Sequence, residues 1–136
     1  MKKYILLLLM TVLVLSACTS QSSALTGEWK LIAYGPLESM NTSAGDTNAS
    51  LTFAEDGTVS GNGGCNSLGG EYTVDGKTIT FGELTSTLMA CDDARMNQES
   101  IVMQVLNGTA EFEIEDQTLA ISNQGMVLVF SQVPVE

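Results

Sequence analysis

The sequence holds no histidine, only five basic residues, two prolines and a single tryptophan among 136 positions. Without histidine there is no Ser-His or Cys-His catalytic pair, and most transition-metal sites lose their commonest ligand. Five Lys and Arg against sixteen Asp and Glu leave a formal charge of −11; setting aside Lys2 and Lys3 makes it −13. Such a surface disfavours nucleic acid and anionic headgroups. It suits a basic partner, or it serves solubility alone. No Asp-x-Asp-x-Asp-Gly run offers a calcium loop, and no Gly-rich turn is followed by Lys-Ser/Thr as a nucleotide site requires. Neither a cofactor nor a metal is expected. Internal repeats and coiled-coil heptads are absent too.

What is present begins with a leader. Met1-Lys2-Lys3 is basic, and Ile5 to Leu15 is almost continuously apolar, too short for the roughly 20 residues that span a bilayer. Leu15-Ser16-Ala17-Cys18 closes the run with small residues before a cysteine, the pattern of a bacterial lipobox. The expectation is a lipoprotein signal peptide over 1–17 and a lipidated Cys18, with an ordinary signal peptide as the competing reading. A polar tether follows to residue 24. Several acyl chains anchor durably where one does so only marginally. Thr19, being other than Asp, favours the periplasmic face of the outer membrane if the host has two membranes.

Behind the tether the chain reads as short strands around one helix. Leu25 to Tyr34 is the first strand, with Leu25, Gly27, Trp29, Leu31 and Ala33 on one face and Trp29 in the core. Gly35 to Asn48 is a long polar loop. Leu51-Thr52-Phe53, a Glu55-Asp56-Gly57 turn and Thr58 to Gly61 form a hairpin. Glu71 to Val74, Asp75-Gly76 and Lys77 to Phe81 form the clearest one, expected as a type I′ connection. Leu84 to Ala90 reads as extended. Asp92-Asp93 opens a helix whose stripe is Ala94, Ile101, Val102, Val105 and Leu106, with Gln98 falling within it. Asn107-Gly108 stops it. Ala110, Phe112 and Ile114 then alternate with three glutamates, Leu119 and Ile121 face inward, and Met126 to Phe130 is apolar throughout, as a central strand would be. A tail follows from 132 to 136. The fold class expected is mainly β (α+β): an antiparallel sheet curled into a partial barrel with one packed helix.

The stretch Gly61-Asn62-Gly63-Gly64-Cys65-Asn66 stands out. Clustered glycines permit close backbone approach, and consecutive amides in such a loop can form an anion-binding nest; a tight bend between strands is the simpler reading. Cys65 and Cys91 are the only thiols behind Cys18. In an exported protein they read as a disulfide, which leaves no cysteine over; two buried free thiols are the alternative.

These residues carry a resemblance. Leu25-Thr26-Gly27-Glu28-Trp29-Lys30-Leu31, the run from Gly61 to Asn66, Tyr72, Thr85 to Cys91 with its Met89-Ala90-Cys91, and Glu99 ahead of an apolar run resemble, in that order, the META/HslJ-like domain over about residues 25–131. The resemblance implies a small, mostly β domain, common in bacterial envelope lipoproteins, with no established enzymatic activity. It also implies a loose association with envelope stress, secretion or motility. It brings no catalytic residues with it. The expected function is a non-catalytic envelope lipoprotein that binds a protein partner or acts as a chaperone. The alternative is an apolar or lipidic ligand held inside the barrel by Trp29, Phe53, Phe81, Phe112 and Met126.

Overall fold

The computed structural model describes residues 21–44 and 48–136. The expected leader and lipidated Cys18 lie outside the described residues. The elements are α1 (Gln21–Leu25), β1 (Gly27–Pro36), β2 (Asn41–Thr42), β3 (Ser50–Phe53), β4 (Thr58–Asn62), β5 (Ser67–Asp75), β6 (Thr78–Phe81), β7 (Thr85–Ser86), α2 (Asp93–Val105), β8 (Thr109–Glu115), β9 (Thr118–Asn123) and β10 (Met126–Gln132).

Every pairing is antiparallel, and the order β10-β9-β8-β6-β5-β4-β3-β1 closes on itself because β1 also pairs with β10. The result is a closed eight-stranded barrel with β2 and β7 as short appendages, where the sequence suggests only a partial one. Closure explains the unbroken apolar run of β10. It is the seam, paired to β9 on one side and β1 on the other, with Leu128 and Phe130 turned into the core and Val127 and Val129 half-buried outside.

The interior is a single apolar cluster in which Trp29, Phe53, Ile79, Leu119, Ile121 and Leu128 are wholly buried. Phe53 meets Tyr72 edge-to-face with ring centroids 5.1 Å apart, the arrangement aromatic quadrupoles favour. The Tyr72 hydroxyl donates to the Ala54 carbonyl at 2.8 Å. Burial, then the nearby Asp56 charge, hold its pKa above the ordinary tyrosine range. Asp56 itself lies below the usual carboxylate range because its side chain accepts from the Thr58 hydroxyl and amide.

Local details depart from expectation for identifiable reasons. Residues 21–25, which overlap the end of the expected tether, form a helical turn that buries Leu25, whose carbonyl accepts the Trp29 indole N–H at 2.7 Å. In β1 the register shifts between Leu31 and Ala33. The extra residue, Ile32, turns Tyr34 inward in place of Ala33. The β5–β6 hairpin pairs Asp75 with Thr78, so its two loop residues are Gly76 and Lys77. Only Gly76 has a positive φ, which makes the turn type II′ rather than I′. Within the expected polar loop, β2 pairs with Ala33 and Tyr34.

Strands alternate between the two ends of the barrel. One end holds α1, the start of β1 and the turns at 54–57 and 76–77. At the other, α2 lies across the opening, its Val102, Val105 and Leu106 in the core. There Asn123, the last residue of β9, donates to the Val105 carbonyl at 3.2 Å.

Candidate functional site: a stapled loop pair beneath the helix

The α2 end gathers most of the residues singled out in the sequence. Asp92 caps the helix, its carboxylate accepting from the Arg95 amide at 3.1 Å. The buried stripe then runs through Gln98, Glu99, Val102 and Val105. Ala94, expected in it, is exposed, and Ile101 is only half-buried. Two polar side chains take the inward positions because the surface beneath them is loop backbone, with N–H and C=O groups to satisfy.

Glycine lets that surface come close. A Cβ at Gly61 would collide with the Ser50 carbonyl of the neighbouring strand, and one at Gly64, where φ is +134°, would lie 2.7 Å from Gln98 Nε2. Gln98 donates to the Gly63 carbonyl at 3.0 Å and accepts from the Ala44 amide at 3.0 Å and the Ser43 hydroxyl at 3.2 Å. It thereby ties the 43–44 loop to the Gly-rich one.

Glu99 does more. Its Oε2 accepts from the Cys65 amide at 3.1 Å and the Asn66 amide at 2.5 Å, and its Oε1 from Asn66 Nδ2 at 2.6 Å. Consecutive amides converging on one anion are a nest, and here the chain's own carboxylate fills it. Glu99 is 8% exposed; three N–H donors stand in for the water it has lost.

Asn66 is the hub. Besides Glu99, its Nδ2 reaches the Met89 carbonyl at 3.2 Å, while its Oδ1 accepts the Met89 amide at 2.6 Å and the Thr87 hydroxyl at 3.0 Å. Two donors and two acceptor sites are the full capacity of a carboxamide, and all four are used. Cys65 and Cys91 are joined by a disulfide. The Thr87 side chain, the Met89 backbone and Cys91 are therefore held from below, whereas the side chains of Leu88 and Met89 are not covered: Leu88 is 96% and Met89 57% exposed. The segment Leu84 to Ala90, expected as extended, is a strand only at Thr85–Ser86, because beyond it the backbone turns to meet Asn66.

Gly61, Gly64, Cys65, Asn66, Met89 and Cys91 thus converge. Gly27 and Trp29 lie at the other end, where they set the start of β1, and Trp29 is wholly buried. Gln98 and Thr87 belong to the cluster and were not expected there; the signal for Gln98 was a carboxamide inside an apolar stripe. Among the described residues no three metal-ligating side chains cluster. Glu99, the one buried carboxylate among the described residues, has both oxygens engaged by loop donors, so the cluster holds the loops together. Trp29, Phe53, Phe81 and Phe112 pack into the common core, with Met126 half-buried against it. Two clefts flank β7. One of about 400 Å³ runs over Ser67–Gly69 and Thr85–Thr87, and one of about 200 Å³ separates Gly82–Leu84 from Met103, Leu106 and Asn107.

The model of the META domain family matches residues 23–134. No curated protein matches the chain. Among solved structures, a Burkholderia xenovorans protein is 22% identical with a TM-score of 0.69, over 82% of this chain and 86% of that one. A DUF4847 family protein from Bacteroides vulgatus is 13% identical with a TM-score of 0.59, over 82% and 96%. A lipocalin-like protein from Bacteroides uniformis is 19% identical with a TM-score of 0.55, over 80% and 98%. At these identities the likeness is one of fold.

Proposed function

The chain belongs to the META domain family, and from that premise we propose that it is a lipid-anchored, non-catalytic protein-binding module of the cell envelope, with a chaperone-like role in assembly or stress. The observation that carries this reading is the display of Leu88 and Met89 in solvent on a backbone fixed by Asn66 and the disulfide. An apolar pair that only filled space would turn inward. One held out on a rigid loop loses little conformational entropy when a partner covers it.

The tether supports the same reading. A lipid on Cys18 would lead into α1, at the end of the barrel where β1 begins. Leu88 sits at the opposite end, so an anchored molecule would direct its apolar loop away from the bilayer.

The test is site-specific photocrosslinking in intact cells of the natural host. A crosslinker at position 88 is expected to capture a discrete envelope protein that one at Glu113 does not, and a labelled fatty acid fed to the cells is expected to mark the wild type and not Cys18→Ser. Equal capture from both positions would sink the binding role, and a wild-type protein that takes up no label would sink the anchor.

A further inference from the structure

We propose that the partner docks by adding an extended segment, with apolar side chains beside lysine or arginine, as a strand on the outer edge of β7. This rests on the protein-binding reading above and names its mode. Among the described residues β7 stands off the barrel ring and pairs only with β5, through Leu68 with Ser86 and Gly69 with Thr85. The Thr87 amide donates to the Ser67 carbonyl at 3.0 Å. Peptide groups alternate sides along a strand, so those of Ser86 point away from β5. Thr85, Ser86 and Thr87 are all exposed. A closed barrel has no edges of its own, and this short strand supplies one.

The surroundings suit a strand with alternating side chains. The 200 Å³ cleft on one side is lined by Leu84, Met103 and Leu106. Met96 and Met103, seven residues apart on α2, lie on one helix face, and Met96 is 39% exposed. Leu88 and Met89 continue the apolar surface past the end of β7. Thioether side chains adapt to varied partners. Charge chooses the partner: Glu83 lines the cleft and the chain carries −11 overall. Two copies would repel one another, whereas a basic segment is steered in.

The test uses the ¹⁵N-labelled mature chain and a heptapeptide of alternating Lys and Val, with its Glu/Val counterpart as control. Amide shifts are expected at residues 84–89, with affinity for the Lys/Val peptide at least about tenfold the greater. Ser86→Pro removes the outward N–H and spares the ladder to β5; it is expected to weaken binding about tenfold. The same peptide N-methylated on alternate amides should weaken likewise, and it reads out the same bond if Ser86→Pro does not fold. No response of residues 84–89, or equal response to both peptides, overturns the proposal. If Leu88→Ser abolishes the shifts while Ser86→Pro and N-methylation leave them intact, strand addition falls and the protein-binding role remains. If crosslinking from position 88 in cells also fails, the role falls with it. Shifts that grow with protein concentration alone would mark edge-to-edge pairing of two copies and overturn a foreign partner.

Discussion

Glu99 grips one loop residue twice: its Oε2 lies 2.5 Å from the Asn66 amide nitrogen and its Oε1 2.6 Å from the Asn66 side-chain nitrogen. One carboxylate on α2 thereby fixes the backbone of the Gly-rich loop and orients the carboxamide that holds residues 87–89. Helix, first loop and second loop form one hydrogen-bonded unit, and the apolar display at Leu88 depends on it.

Removing the carboxylate strands its donors. Glu99→Ala is expected to destabilise the fold by about 2–4 kcal/mol, since two buried amides lose their acceptor. Glu99→Gln should cost roughly half as much, because a carboxamide can accept on one side but must turn N–H toward donors on the other. Urea unfolding measures both. Equal stability of wild type and Glu99→Ala would show that the nest is satisfied by other means.

Asn66→Ala is expected to free the second loop while the barrel stays folded. The Met89 amide, now bonded to Asn66 Oδ1 at 2.6 Å, should exchange with deuterium at least about tenfold faster, with amides of β8 to β10 unaffected. Asn66→Asp keeps the acceptor for Met89 but sets a second carboxylate against Glu99, so at neutral pH it should be the more destabilising of the two.

The Cys65–Cys91 bridge closes a loop with a sequence separation of 26. On the chain-entropy model its reduction should lower stability by about 3–4 kcal/mol. Because Asn66 holds the same loop independently, the reduced protein is expected to keep its far-ultraviolet circular dichroism and to unfold at lower urea. Complete loss of structure on reduction would make the disulfide the principal support and Asn66 secondary.

Tyr72 is expected to contribute to the alkaline limit of stability. Burial raises its pKa in the folded state above the usual value of 10.0. The fold therefore favours the protonated phenol. That contribution is complete below pH 10, where both states keep the proton. It declines as the pH rises from there through the folded-state pKa, because the unfolded chain ionises first. Stability should fall above pH 10, and Tyr72→Phe should remove that part of the fall. Absorbance at 295 nm alongside chemical denaturation tests it; an unchanged alkaline limit in Tyr72→Phe would assign it elsewhere.

The sequence by itself determined the strands and the helix start. Alternation of Ala110 and Phe112 with glutamates can bury only one face. Asp-Gly at 75–76 permits few connections, and Asp92 is a local N-cap. These are properties of near neighbours. The pairing of β1 with β10, on strands about a hundred positions apart, has no local signature, and neither does Ile32 as the bulge that turns Tyr34 inward. The possibility of an anion nest in the Gly-rich loop was legible from its glycines. That its anion is Glu99, some 33 residues further on, was not, because a nest constrains only its own backbone. The partners of Gln98 and Thr87 were not legible for the same reason: hydrogen-bond partners across elements are selected by how α2 crosses the barrel mouth. The tertiary structure alone decided which polar groups ended up satisfied inside, and with that the fixed loop on which Leu88 and Met89 are among the apolar side chains left outside.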